Sequence, residues 1–106
     1  MKLEVHTFDP ELINILMGRE PVREGDELLL SGGARLVYER TFARRVKHFP
    51  LIIHFSVNVD SDQGACDVVK WLFDRVGKRN LEKIVVEYQD VRMDAEQMKY
   101  LLGCKK

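Results

Sequence analysis

Three histidines are the first side chains in this sequence whose type could do chemistry, because imidazole binds metals and accepts protons near neutral pH. His54 alternates with Ser56, Asn58 and Asp60, so a strand would place all four on one face. At about 3.3 Å per residue, His54 and Asp60 lie about 20 Å apart and cannot share a metal ion. His6 could join this face if its strand is adjacent. No third ligand or orienting acid follows from the pattern, so we predict no metal site and no cofactor.

A small enzyme with its site on this face is the least favoured interpretation. It would need His6, His54, Ser56 and Asn58 to converge in a pocket. The sequence contains no nucleophile motif and no glycine-rich phosphate loop that would frame such a site. A non-enzymatic protein is therefore favoured.

The two cysteines, Cys66 and Cys104, lack the spacing of a zinc or redox motif. Two residues of this kind do not make a disulfide framework, so Cys66 is expected to be a small buried apolar residue. Cys104 is expected to be exposed in a frayed tail. This use of cysteine predicts a reducing, cytoplasmic setting.

The most basic run lies at positions 40–48 and has two aromatic residues within or beside it. Its candidate anion-binding residues are Arg40, Arg44, Arg45 and Lys47. Such a run can bind phosphates, and Phe42 and Phe49 could stack on nucleic-acid bases. The other interpretation is an edge strand and loop that charge keeps soluble, because charged edges block unwanted strand pairing.

The element that organises these residues is the stretch from Phe49 to Gln89. Residues 51–59 alternate apolar and mostly polar side chains with a period of two, which predicts a strand. An apolar stripe from Ala65 to Val76 at helical spacing follows, with Ser61 or Asp60 as its cap. Residues 81–88 return as a strand, which completes a βαβ pattern. A split βαβ unit, with the N-terminal strand inserted between these two strands, is the alternative arrangement.

The remaining elements are read from alternation, caps and turn residues. They are a strand at 2–8, a helix that Asp9-Pro10 starts and Gly18 ends, strands at 27–31 and 34–42, and a helix from Asp94 to Gly103. Gly32-Gly33 predicts a two-residue hairpin turn, with Leu29 facing Leu36 and Glu27 facing Tyr38.

Together these elements predict a single α/β (α+β) domain over residues 1–106. Its architecture is a two-layer sandwich with a mixed sheet of four to five strands and helices mainly on one face. The predicted order is β-α-β-β-β-α-β-α. No apolar run approaches the roughly 20 residues of a membrane span, so no membrane partner is expected.

Trp71 lies about 140° from the centre of its helix's apolar stripe, at about 100° per residue. An outward tryptophan either packs against another part of the chain or serves an interface. The sheet residues Ile52, His54 and Ser56 also point away from the predicted core. These four residues are the interface candidates.

The charge balance favours association with protein. Lys plus Arg and Asp plus Glu both number 17, so the net charge is zero and copies do not repel one another. We therefore predict a small protein-interaction module that forms a homo-oligomer, such as a dimer, or binds another protein. Binding of nucleic acid or phosphate by the basic run is the alternative function.

Overall fold

The computed structural model describes residues 1–43, 48–76, 81–91 and 94–104. These residues form an α+β domain with one sheet of six strands and three helices. The elements are β1 Lys2–Thr7, α1 Leu12–Met17, β2 Glu27–Leu29, β3 Arg35–Phe42, β4 Leu51–Asn58, α2 Asp62–Val76, β5 Leu81–Val86, β6 Gln89–Asp90 and α3 Ala95–Leu102. The predicted order is matched except for β6, which was not expected.

The N-terminal strand β1 lies in the middle of the sheet, whose strand order is β2-β3-β4-β1-β5-β6. Val5 pairs with Ile53 of β4 on one side and with Ile84 of β5 on the other. The split βαβ arrangement is therefore confirmed. The prediction of a mixed sheet is wrong, because every pairing is antiparallel once β1 separates the two parallel strands β4 and β5.

The core lies between the three helices and one face of this sheet. Alternation in β4 sends Ile53, Phe55 and Val57 into the core and leaves Ser56 on the other face. Phe55 is completely buried, and its ring packs edge-on against Trp71 with 5.8 Å between centroids. The period-two pattern that predicted this strand therefore decides which of its faces is buried.

Helix α2 begins as its cap predicted. The Ser61 hydroxyl accepts a hydrogen bond from the Gly64 backbone N–H at 3.0 Å, which satisfies one of the free donors of the first turn. Of the predicted stripe, only Phe73 is partly exposed, and the other members are buried. Gly77, which follows the stripe and as a glycine predicts the C-terminal end of the helix, lies outside the described residues.

Helix α1 is only six residues long. Its N-cap is Glu11, which makes no side-chain cap bond, so the prediction that Asp9 is the N-cap is wrong. Asp9 instead accepts a hydrogen bond from the Glu11 N–H just ahead of the helix. Gly18 ends the helix with a left-handed φ of 67°, as predicted. A helix this short depends on its packing, and Leu12 and Leu16 are fully buried.

The β2–β3 connection differs from the predicted hairpin. Leu28 pairs with Leu36 and Leu29 pairs with Arg35, one residue away from the expected register. The reason is that the connection runs from residue 30 to residue 34 instead of through two glycines. Of the two glycines in this connection, only Gly33 takes a positive φ. A Cβ at Gly32 would overlap the Asp67 carboxylate of α2, so a larger residue there would require that side chain to rotate away.

A disulfide between Cys66 and Cys104 fastens the end of the described chain to α2. Their Cα atoms are 4.9 Å apart, within the range that a disulfide spans. The prediction of two free cysteines, with Cys104 exposed in a frayed tail, is therefore wrong. Helix α3 brings the two residues together, because Asp94 caps its start and Gly103 ends it, as predicted, just before Cys104. The prediction of a cytoplasmic setting rested on free thiols, so the disulfide removes its support.

Candidate functional site

The open face is the side of the sheet that faces away from the helices. Residues that pair across neighbouring strands point their side chains to the same side of the sheet. Starting from the polar face of β4, the strand registers therefore show which residues of the neighbouring strands belong to the open face. The open face consists of Lys2, Glu4, His6, Glu27, Leu29, Arg35, Val37, Glu39, Arg40, Phe42, Ile52, His54, Ser56, Asn58, Lys83, Val85 and Asp90.

A β-bulge in β3 concentrates charge on the open face. Tyr38 pairs with Phe55, but the next paired residue is Arg40 opposite His54, so Glu39 is an extra residue. Because of this extra residue, Glu39 and Arg40 can both direct their side chains toward the same side. Without the bulge, only one of two consecutive strand residues would face that way.

Glu39 is the acceptor at the centre of a small polar network. The Lys2 ammonium and the Ser56 hydroxyl each donate to its Oε1 atom, both at 2.9 Å. These two hydrogen bonds, with that of Lys2 the stronger influence, hold the pKa of the Glu39 carboxyl below its usual value. The network ties β1, β3 and β4 together across the open face.

The four residues that a small enzyme would need, His6, His54, Ser56 and Asn58, do not line one common cavity. Within β1, the Glu4 Oε1 atom lies 3.0 Å from the His6 Nε2 atom. His54 of β4 instead stands opposite Glu4 in the strand register. Ser56 is engaged by Glu39, and Asn58 is exposed near the far end of β4. The convergence that a small enzyme would need is therefore not found among these residues.

A cavity of about 300 Å³ opens at one end of the open face. Its lining residues are His6, Phe49, Pro50, Ile52, Glu82 and Lys83. His6 is only 8% exposed and lies deep in the wall, while Phe49 is half-exposed at the edge. Glu82 is an extra residue of β5, because His6 pairs with Lys83 and Thr7 pairs with Leu81. The cavity thus has apolar walls with polar groups at its side.

An exposed tyrosine stands at the opposite end of the open face. Val86 pairs with Gln89, so Glu87 and Tyr88 form a two-residue turn between β5 and β6. Both have positive φ, 48° and 70°, as in a type I′ turn. Tyr88 is 81% exposed and lines a second, smaller cavity with Lys2, Glu4, Glu39, Arg40 and His54. The turn therefore presents an aromatic ring over the open face.

The structure separates the four interface candidates into two groups. Ile52, His54 and Ser56 lie side by side on the open face and are partly exposed. Trp71 is only 3% exposed, and its Nε1–H donates to the Leu16 carbonyl at 2.9 Å. Trp71 therefore packs within the chain, which is one of the two alternatives that its position left open, and offers no surface to a partner.

Only one of the four anion-binding candidates can be placed. Arg40 is exposed on the open face opposite His54, and Phe42 is half-exposed next to Ile52. Arg44, Arg45 and Lys47 lie outside the described residues. The basic run is therefore described only at residues 40–43 and 48.

Two features of the candidate surface were missed from the sequence. Glu39 became part of it only through the bulge, which has no signal in the alternation. Tyr88 was assigned to a strand because Glu-Tyr is not a turn sequence, although the polar run that follows Val86 was a usable signal.

Comparison with known protein families, with characterised proteins and with solved structures found no match. In the described part of the chain, no cluster of three or more His, Cys, Asp or Glu side chains is arranged to hold a metal ion. Likewise, no helix among the described residues is long and apolar enough to cross a membrane.

Proposed function

We propose that this protein is a non-enzymatic interaction module that pairs with a second copy of itself through the open face. The observation that carries the proposal is the asymmetry of the sheet. All three helices pack on one side, and the other side keeps partly exposed apolar residues such as Val37 and Ile52 between its charges. A half-apolar sheet face of this kind is suited to packing against a second sheet.

The charges on the open face favour a second copy over a polyanion. Cations and acids stand next to one another, as in the pairs Lys2–Glu39 at 2.9 Å and Lys83–Asp90 at 4.0 Å. A nucleic acid would meet the carboxylates of Glu4, Glu27, Glu39 and Asp90 among the cations of this face. A surface with both signs can instead complement its own copy, because a two-fold axis brings different parts of the same patch together.

The size of the sheet sets the expected strength of this pairing. At about 3.3 Å per residue and about 4.8 Å between strands, the paired residues offer roughly 500 Å² per copy. Two copies would then bury about 1,000 Å², which is at the lower limit for a specific interface. We therefore expect a dimer that dissociates on dilution.

Sedimentation velocity over a wide concentration range tests this proposal. We expect a monomer–dimer equilibrium that Val37→Arg shifts to monomer, since the variant replaces a partly exposed apolar residue of the open face with a charge. Tyr100→Arg is the matched control, because it adds the same charge on α3, on the helical side, at a position that is 81% exposed. A strict monomer at every concentration, or equal effects of both variants, would contradict the proposal.

The same samples distinguish the alternative function. Binding of single-stranded or double-stranded oligonucleotides that weakens steeply with salt and is lost in Arg40→Glu would favour phosphate recognition. If the protein dimerises without binding oligonucleotides at low ionic strength, self-association is favoured.

A further inference from the structure

We infer that Tyr88 of one copy inserts into the cavity beside His6 of the second copy, and that this contact fixes how the two open faces align. The inference rests on the proposed self-association and adds to it a specific anchor and receptor. Two such contacts would form in each dimer, one at either end of the interface.

Tyr88 has the properties of an interface anchor. Its ring is 81% exposed, and tyrosine is among the residues that contribute most to binding when a partner buries them. Its φ of 70° is disfavoured for a bulky side chain, and turns of this geometry prefer Asn-Gly. A residue held in such a conformation suggests a role beyond closing the turn.

The cavity is large enough for a phenol ring, and its lining residues suit one. Ile52, Pro50 and Phe49 provide apolar walls for the ring. His6, Glu82 and Lys83 provide polar atoms beside the walls that can bond the phenol hydroxyl. Its volume of about 300 Å³ is at the small end for binding pockets, which suits a single side chain.

The positions of the two features select one symmetry. Tyr88 and the cavity lie at opposite ends of the open face, and Lys83 and the first turn residue, Glu87, are about 13 Å apart along the direction of β5. A two-fold axis that lies between the faces and crosses the strands would place the Tyr88 end of each copy over the cavity end of the other. An axis parallel to the strands would instead stack like ends on each other.

Sedimentation equilibrium of Tyr88→Ala gives the first test. We expect the dimer to weaken by at least about tenfold, because both anchors are lost together. Tyr100→Ala is the matched control, since Tyr100 is equally exposed, at 81%, but lies on α3. Tyr88→Phe should keep most of the affinity if the ring fills the cavity.

Mixing two defective variants gives the decisive test. Ile52→Arg fills the cavity and should also weaken the dimer, with Phe49→Ala as a milder second variant in case the first fails to fold. A mixture of Tyr88→Ala and Ile52→Arg should form heterodimers more tightly than either variant self-associates. The reason is that one intact anchor then meets one intact cavity, whereas each homodimer has lost both contacts.

The possible outcomes separate the two proposals. A wild-type monomer overturns the self-association itself, and this inference with it. A wild-type dimer that tolerates Tyr88→Ala, or a mixture without rescue, leaves the open-face dimer in place and overturns the anchor. Thermal unfolding of each variant confirms that the compared proteins are folded.

Discussion

The two faces of strand β4 show how one sequence pattern can fix half of a surface and leave the other half undetermined. On the covered face, Phe55 packs against Tyr38 and Trp71 with centroid distances of 6.1 and 5.8 Å. On the open face, the neighbouring Ser56 donates one hydrogen bond to Glu39. The environment of Phe55 depends on close packing and the exclusion of water, whereas that of Ser56 depends on a polar contact with one partner.

This difference explains why the faces carry different kinds of information. Buried apolar residues are recognisable from their regular spacing, because burying a polar side chain at one of these positions would cost free energy. A residue on the open face tolerates many side chains, so its type indicates little about its partner. Structure is therefore encoded mainly on the covered face, and function is sought on the open one.

The sharpest test of this comparison substitutes the two neighbours in β4. Phe55→Ala should lower the free energy of unfolding by about 3 to 5 kcal/mol, because it leaves a cavity in a completely buried site. Ser56→Ala should lower the free energy of unfolding by less than about 1 kcal/mol, since water can donate to Glu39 in place of the lost hydroxyl. Urea unfolding at low protein concentration, where association does not contribute, measures both. Similar costs for the two variants would show that the faces are not energetically distinct.

Reduction of the Cys66–Cys104 disulfide tests how much of the covered side depends on a covalent link. Closing a loop between residues 38 apart restricts the unfolded chain, and the expected loss on reduction is about 2 to 4 kcal/mol. Urea unfolding with and without a reductant gives the value, with the Cys66→Ser/Cys104→Ser double variant as the control. If the reductant changed the double variant as well, the effect could not come from the disulfide.

The smallest expected effect lies in the Glu39 network on the open face. Because its pKa is lowered in the folded state, Glu39 stabilises the fold above its unfolded pKa of about 4.5. That contribution is lost as the pH falls through the lower, folded pKa. Its size should be within about 1 kcal/mol, as is usual for a partly exposed ion pair.

Unfolding measurements between pH 7 and pH 3 on wild type and Glu39→Gln check this contribution. The stability difference between the two proteins should shrink toward acid pH. A difference that stays constant over this range would indicate a role for Glu39 other than its charge.

The sequence predicted the elements whose signals are local. Ser61 and Asp94 as caps, and the alternation of β4, were all read correctly because each depends on residues within one turn or strand. Two local signals were misread, the N-cap of α1 and the turn between β2 and β3, and other failures required knowledge of distant neighbours. The Cys66–Cys104 bond depends on α3 lying beside α2, and no spacing rule gives that approach.

Trp71 illustrates the same limit for a single side chain. Its helical position correctly placed it away from the centre of the stripe, but α1 also packs against α2. The carbonyl of Leu16, 55 residues earlier, supplies the partner for its indole N–H. Helix α2 is therefore buried over a wider arc than its stripe indicates, and the open face holds the remaining candidates Ile52, His54 and Ser56.

The central position of β1 has a consequence for the order of events during synthesis. β1 leaves the ribosome before β4 and β5 exist, yet it must lie between them, and Leu3 finally pairs with Val86. Until β5 is made, an edge of β1 stays exposed, and contacts between such distant residues slow folding. The finished domain removes this hazard, because β4 and β5 pair with the two edges of β1. Aggregation is therefore a greater risk for the unfinished chain than for the completed one.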